Sequence, residues 1–223
     1  MLRLVLGAIL IGLSGCATLQ NHSKYELADG MYKIKVNGQR FDAYIRNTND
    51  SIVLYQPHTK ISNPLPPLST TKLINNQQLI KYSLDIDVMT SVFKIRPKTT
   101  DLPTQMNSNL NGNLYLGYRK DIYHIKYVEN PVFDFQRQVN HIGFSGGVFL
   151  GVGNTAMNAS TANGLAYDYD GIVLQKGISG IFAINKLTIG LSIGTDHLLD
   201  KNRTIWQYQN KPWYGLMLGL NLN

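Results

Sequence analysis

Beyond Lys81 the chain is built of segments about ten residues long in which every second residue is large and apolar, and that period of two leaves few folds open. From Val139 to Gly153, one face carries Ile142, Phe144, Val148, Leu150 and Val152, and the other carries His141, Gly143, Ser145, Gly147 and Gly151. Gly171 to Asn185 repeats the pattern, with Ile172, Leu174, Ile178, Phe182 and Ile184 against Gln175, Gly177, Ser179, Ala183 and Asn185. Leu187 to His197 and Tyr214 to Leu222 do so again. A soluble sandwich would alternate an apolar face with a charged one. Here the second face is small and nearly uncharged, which suits the crowded interior of a narrow closed sheet whose greasy face meets lipid. The expectation is an all-β chain forming a small antiparallel outer-membrane β-barrel.

The connections give an independent test. Strands over 82–96, 110–127, 139–153, 171–185, 187–198 and 213–223 put the long, Asn-, Thr- and Asp-rich connections 97–110, 154–170 and 199–212 at one end. The short turn Asn185-Lys186 and the C-terminus fall at the other. Outer-membrane barrels have short periplasmic turns and long outer loops, and usually have at least about eight strands. The two strands missing from a count of about eight come from an N-terminal meander, from a hairpin around Arg119-Lys120-Asp121, or from a partner subunit. The meander is the favoured source.

That meander runs from Gly30 to Tyr55. Tyr32, Ile34 and Val36 alternate with Lys33 and Lys35, Asn37-Gly38 suits a tight hairpin turn, and Phe41, Ala43 and Ile45 follow before Asn47-Thr48-Asn49-Asp50 and Ser51 to Tyr55. Pro57, Pro64, Pro66 and Pro67 then mark a linker, because proline cannot continue a sheet interior. The segment 69–80 is ambiguous between helix and strand.

At the start, Arg3 precedes an apolar run from Leu4 to Leu13 that is too short to span a bilayer, as in a signal peptide. Leu13-Ser14-Gly15-Cys16 resembles a lipobox, which implies cleavage before Cys16 and acylation of it. Cys16 is the chain's only cysteine, so an exported protein without disulfides has one at the site where lipidation would need it. The expected divisions are a lipoprotein signal peptide over 1–15, a lipidated tether over 16–29, the meander and Pro-rich linker over 30–80, and the barrel over 81–223. The expected location is the outer membrane, lipid-anchored, with the N-terminus periplasmic.

A net charge of +7 could suggest nucleic acid, but the basic residues are scattered and an exported chain would not meet it, so nucleic acid is excluded as a partner. Outer-membrane lipids, lipopolysaccharide among them, and an outer-membrane protein partner suit the charge and location better. Three sets of residues stand out. Asp85, Asp87, His141 and Asn221 form a candidate polar cluster in the lumen. Lys94, Arg96 and Lys176, read as outward-facing at the loop end, form a candidate lipopolysaccharide contact. The loop aromatics Tyr167, Tyr169, Trp206, Tyr208 and Trp213 read as an interfacial girdle.

Catalysis has poor support. His141 and Ser145 share a face but sit about 13 Å apart along a strand, and Asp196 and His197 point to opposite faces. No catalytic residue, metal site or cofactor is expected, and the histidines lack metal-ligand spacing. Leu102-Pro103-Thr104-Gln105, Tyr115-Leu116-Gly117-Tyr118-Arg119, Tyr169-Asp170-Gly171, Asp200-Lys201-Asn202-Arg203, Asn210-Lys211-Pro212-Trp213 and Gly219 to Asn223 resemble a family of uncharacterised outer-membrane β-barrel lipoproteins of Bacteroidota. The resemblance implies location and fold. The expected role is structural or accessory, with a lipid-modifying enzyme and a narrow pore as alternatives.

Overall fold

The computed structural model describes residues 26–36, 38–48, 52–55, 64–65, 77–129, 135–185 and 187–221. Residues 1–25, with the expected signal peptide and Cys16, lie outside the described residues. The strands are β1 (Gly30–Val36), β2 (Gln39–Asn47), β3 (Ile52–Tyr55), β4 (Pro64–Leu65), β5 (Gln77–Arg96), β6 (Gln105–Asn107), β7 (Asn111–Glu129), β8 (Phe135–Met157), β9 (Tyr169–Ile184), β10 (Leu187–Leu198) and β11 (Pro212–Asn221). All pairings are antiparallel, and one short 3-10 helix spans Lys201–Thr204.

β5, β7, β8, β9, β10 and β11 follow one another in hydrogen-bonded order, and β11 pairs back onto β5 from Tyr214↔Ile95 to Asn221↔Asp87. Six strands therefore close into a ring, correcting the expected count of about eight. The meander forms as its sequence pattern predicts, but among the described residues it pairs with β5 only where Lys33 to Lys35 meet Gln78 to Ile80. β11 holds that edge of β5 from Asp87 onward, so the meander cannot enter the ring. The suggested hairpin around Arg119 does not exist, because β7 runs unbroken. Within the expected linker, Pro64 and Leu65 pair with Tyr55 and Leu54 at a sheet edge, where proline is tolerated.

The turns follow local chemistry. Val36 pairs with Gln39 across a two-residue loop in which Gly38 has φ 83, and Ile184 pairs with Leu187 across one in which Asn185 has φ 49. Both are positive φ values that glycine and asparagine accept at low cost.

Among the described residues, three buried apolar clusters lie along the strands. At the meander end, Tyr32, Ile34, Ala43, Ile45, Ile52 and Leu54 pack on Leu79, Tyr123 and Ile125. Mid-ring, Met89, Tyr115, Phe149, Ile181, Trp213 and Met217 fill the interior. At the loop end, Ala162, Trp206 and Tyr208 cover Met157, Val173 and Leu198. Six strands enclose little space, and the small residues on the inward face make room for the large ones. A Cβ at Gly117 would collide with the Tyr115 ring, and Gly194 and Gly215 leave the space that Trp213 fills.

Candidate functional site

The interior of the ring holds two polar layers separated by the mid-ring cluster. Period-two alternation turns Asp85 and Asp87 of β5, Arg119 and Asp121 of β7 and His141 of β8 inward, where all five are buried. Arg119 Nε donates to Asp121 Oδ1 at 2.8 Å, and Arg119 Nη1 lies 3.8 Å from Asp85 Oδ2. His141 Nε2 shares a 2.6 Å hydrogen bond with the same Asp121 oxygen, and its ring packs 4.9 Å from Tyr123. This is the meander-end layer.

Asp87 of the expected cluster is thus buried on the inward face, and Asp85 and His141 are joined inside the ring through Arg119 and Asp121, which the sequence reading missed. Their parity with Tyr115 and Gly117 along β7 was the available signal. Asn221 pairs with Asp87 in the ladder, and its side chain lies outside the described residues.

The loop-end layer is built around Asp196 of β10, which is fully buried. Lys94 Nζ donates to both of its carboxylate oxygens at 3.3 Å, Arg96 Nη2 donates to Oδ2, and Trp213 Nε1 donates to Oδ1 at 2.8 Å. Lys94 also sits 4.7 Å from the centre of the Trp213 ring. Arg96 lies over Trp206 and Tyr208 at 5.2 and 5.1 Å.

This overturns the outward placement of Lys94 and Arg96, which are only 2% and 1% exposed. The cause is a bulge in β5. Leu216 pairs with Phe93 but Met217 pairs with Ser91, so Val92 is an extra residue and every side chain beyond it changes face. Asn111 stabilises the break: its side chain accepts from Ser91 N at 2.6 Å and donates to Ser91 O at 3.0 Å, standing in for a ladder partner. Of the three candidate lipopolysaccharide contacts, only Lys176 projects outward. The girdle expectation is corrected in the same way: Trp206, Tyr208 and Trp213 are buried, while Tyr167 is exposed.

The loops form a tied lid over this layer. Tyr169 donates to Asp200 Oδ2 at 2.6 Å, Asn202 Nδ2 donates to the Tyr169 hydroxyl at 2.8 Å, and Ala162 bridges to Trp206. Thr99 donates to Gln207 Oε1 at 3.0 Å, tying the 97–104 segment to the same lid. Burial pushes the Tyr208 hydroxyl above the usual phenol range, although the Arg96 charge opposes that shift.

No catalytic arrangement emerges from the considered pairs. Ser145 Oγ hydrogen-bonds Tyr115 at 2.8 Å instead of reaching His141, and His197 Nδ1 is held from outside the ring by Gln209 and Asn210. Among the described residues, no group of three or more His, Cys, Asp or Glu side chains is arranged to hold a metal ion. An apolar depression of about 700 Å³ opens on the outward wall between Ile178, Leu191 and Tyr214, where Gly146 and Gly180 carry no side chains. It belongs to the greasy surface, remote from the charged interior. No protein family, curated protein or solved structure matches the chain.

Proposed function

We propose that this chain is a lipid-anchored protein of the bacterial outer membrane, and that its six-strand ring is a closed, side-chain-filled β-barrel with a structural or accessory role. One observation carries the reading: the charges are inside and the grease is outside. Asp85, Arg96, Arg119, Asp121 and Asp196 are buried, while Leu114, Val148, Leu150, Ile172, Ile178 and Leu191 are each more than half exposed. In water that would be an apolar surface well beyond what soluble monomers show, whereas in lipid it is the ordinary arrangement. The outward run from Phe144 to Val152 is about 27 Å long along its strand, or roughly 20 Å of bilayer once tilted as barrel strands are. Tyr82 and Tyr118 stack with ring centres 6.0 Å apart on the outward wall near the meander end, a fitting place for interfacial aromatics.

In this reading the meander and the anchor at Cys16 lie on the periplasmic side, and the tied loops face outward from the cell. Outer-membrane lipids surround the belt. The packed mid-ring cluster argues against a narrow pore, and the bond of Ser145 to Tyr115 rather than to His141 argues against a lipid-modifying enzyme built on that pair. A chain without chemistry of its own acts through a partner, here another protein of the same membrane.

Two measurements test the proposal. Purified protein in planar bilayers is expected to give no stable conductance steps and to show heat-modifiable gel mobility; discrete conductance would overturn the filled barrel. Cys16→Ser is expected to abolish labelling by a fatty-acid probe and to leave the precursor mass; equal labelling of mutant and wild type would overturn the anchor.

A further inference from the structure

We propose that the loop-end layer is a halide site: a chloride-sized anion bound where the ring meets its loops, between Arg96, Trp206, Tyr208 and Gln175. The charge count comes first. Lys94 and Arg96 bring two positive charges to one carboxylate, Asp196, and all three are almost completely shielded from solvent. A buried net charge is unfavourable without a counter-ion.

The hydrogen bonds show the same imbalance. Asp196 already accepts from Lys94 and Trp213 at Oδ1 and from Lys94 and Arg96 at Oδ2, so its acceptor capacity is committed. Arg96 Nε, Trp206 Nε1, the Tyr208 hydroxyl and both amide atoms of Gln175 remain buried with no hydrogen-bond partner. Arg and Trp nitrogens can only donate, so what they lack is an acceptor.

Arg96 lies over both Trp206 and Tyr208, which meet edge to face with ring centres 6.4 Å apart, and Gln175 is the cross-strand partner of Asp196, the carboxylate that Arg96 binds. Water could satisfy the hydrogen bonds but not the charge, whereas one monovalent anion answers both. The meander-end layer has the opposite balance, with Asp85, Asp87 and Asp121 facing Arg119 and His141, so the inference is specific to the loop end. It does not depend on the membrane reading, because the site is enclosed between the ring and its own loops.

The chain's only two tryptophans, Trp206 and Trp213, both belong to this layer, so its fluorescence reports on the site. The folded full-length protein would be titrated with sodium bromide, with ionic strength held constant by sodium gluconate. Bromide is expected to quench in a saturable manner, and chloride to compete. Arg96→Met is expected to weaken half-saturation by about tenfold, the loss of one charge-assisted donor, while keeping the β-sheet circular dichroism of wild type. Crystals soaked in bromide should show an anomalous peak beside Arg96 and Trp206. Quenching that rises linearly and equally in wild type and Arg96→Met would overturn the proposal, as would a bromide soak without that peak. If Arg96→Met does not fold, Trp206→Phe and the soak decide by the same criteria.

Discussion

The two polar layers of the ring use the same residue types in opposite ways. At the meander end, acids outnumber bases and Arg119 bonds a near neighbour in sequence, Asp121. At the loop end, bases outnumber the acid, and Lys94 and Arg96 of β5 reach Asp196 about a hundred residues on. The first layer links three adjacent strands, β5, β7 and β8; the second ties the first strand of the ring to its fifth and, through Trp213, to its last. A shared long-range acceptor is the more vulnerable device, since losing it strands several donors together.

The largest expected effect follows from that. Asp196→Ala leaves Lys94 and Arg96 buried without their carboxylate and should cost about 3–5 kcal/mol, read as a lowered urea midpoint in detergent. A loss below that of the meander-end counterpart would break the comparison. That counterpart, Asp121→Asn, removes one acceptor of Arg119 and His141 but also relieves an acid-rich layer, and should cost about 1–3 kcal/mol.

Tyr32 sharpens the picture of the meander end. Burial among the meander residues pushes its hydroxyl well above the usual phenol range, with the Asp121 and Asp29 charges adding to the shift. A raised value means that folding favours the protonated form. Its contribution is therefore fully present below about pH 10 and is lost as the pH rises further. Amide exchange of β1 should accelerate above that pH, and Tyr32→Phe should remove this part of the dependence at a cost of about 1 kcal/mol for the lost 2.7 Å bond to Ala28 O. Unchanged alkaline behaviour in Tyr32→Phe would assign the effect elsewhere. The smallest expected effect is that of Lys94→Met. It leaves the Arg96–Asp196 pair charge-balanced, so the urea midpoint should move by less than about 1 kcal/mol. A loss as large as that of Asp196→Ala would show that Lys94, rather than the carboxylate, organises the layer.

Much of this was legible in the chain. Alternation assigned the faces of β8, β9, β10 and β11, because side chains in an extended strand point to opposite sides whatever surrounds them. Gly38 and Asn185 marked two hairpins, because the chemistry of a tight turn is local. The strand count of the ring and the contents of its loop-end layer were not legible. Whether β1 or β11 takes the edge of β5 is a competition between distant segments, decided by which pairing closes the ring. The inward turn of Lys94 and Arg96 depends on a single unpaired residue, Val92, held by the side chain of Asn111 across the strand boundary. The sequence by itself determined which residues alternate. Only the tertiary structure decided where the alternation slips, because a bulge is a mismatch between two strands and belongs to neither alone.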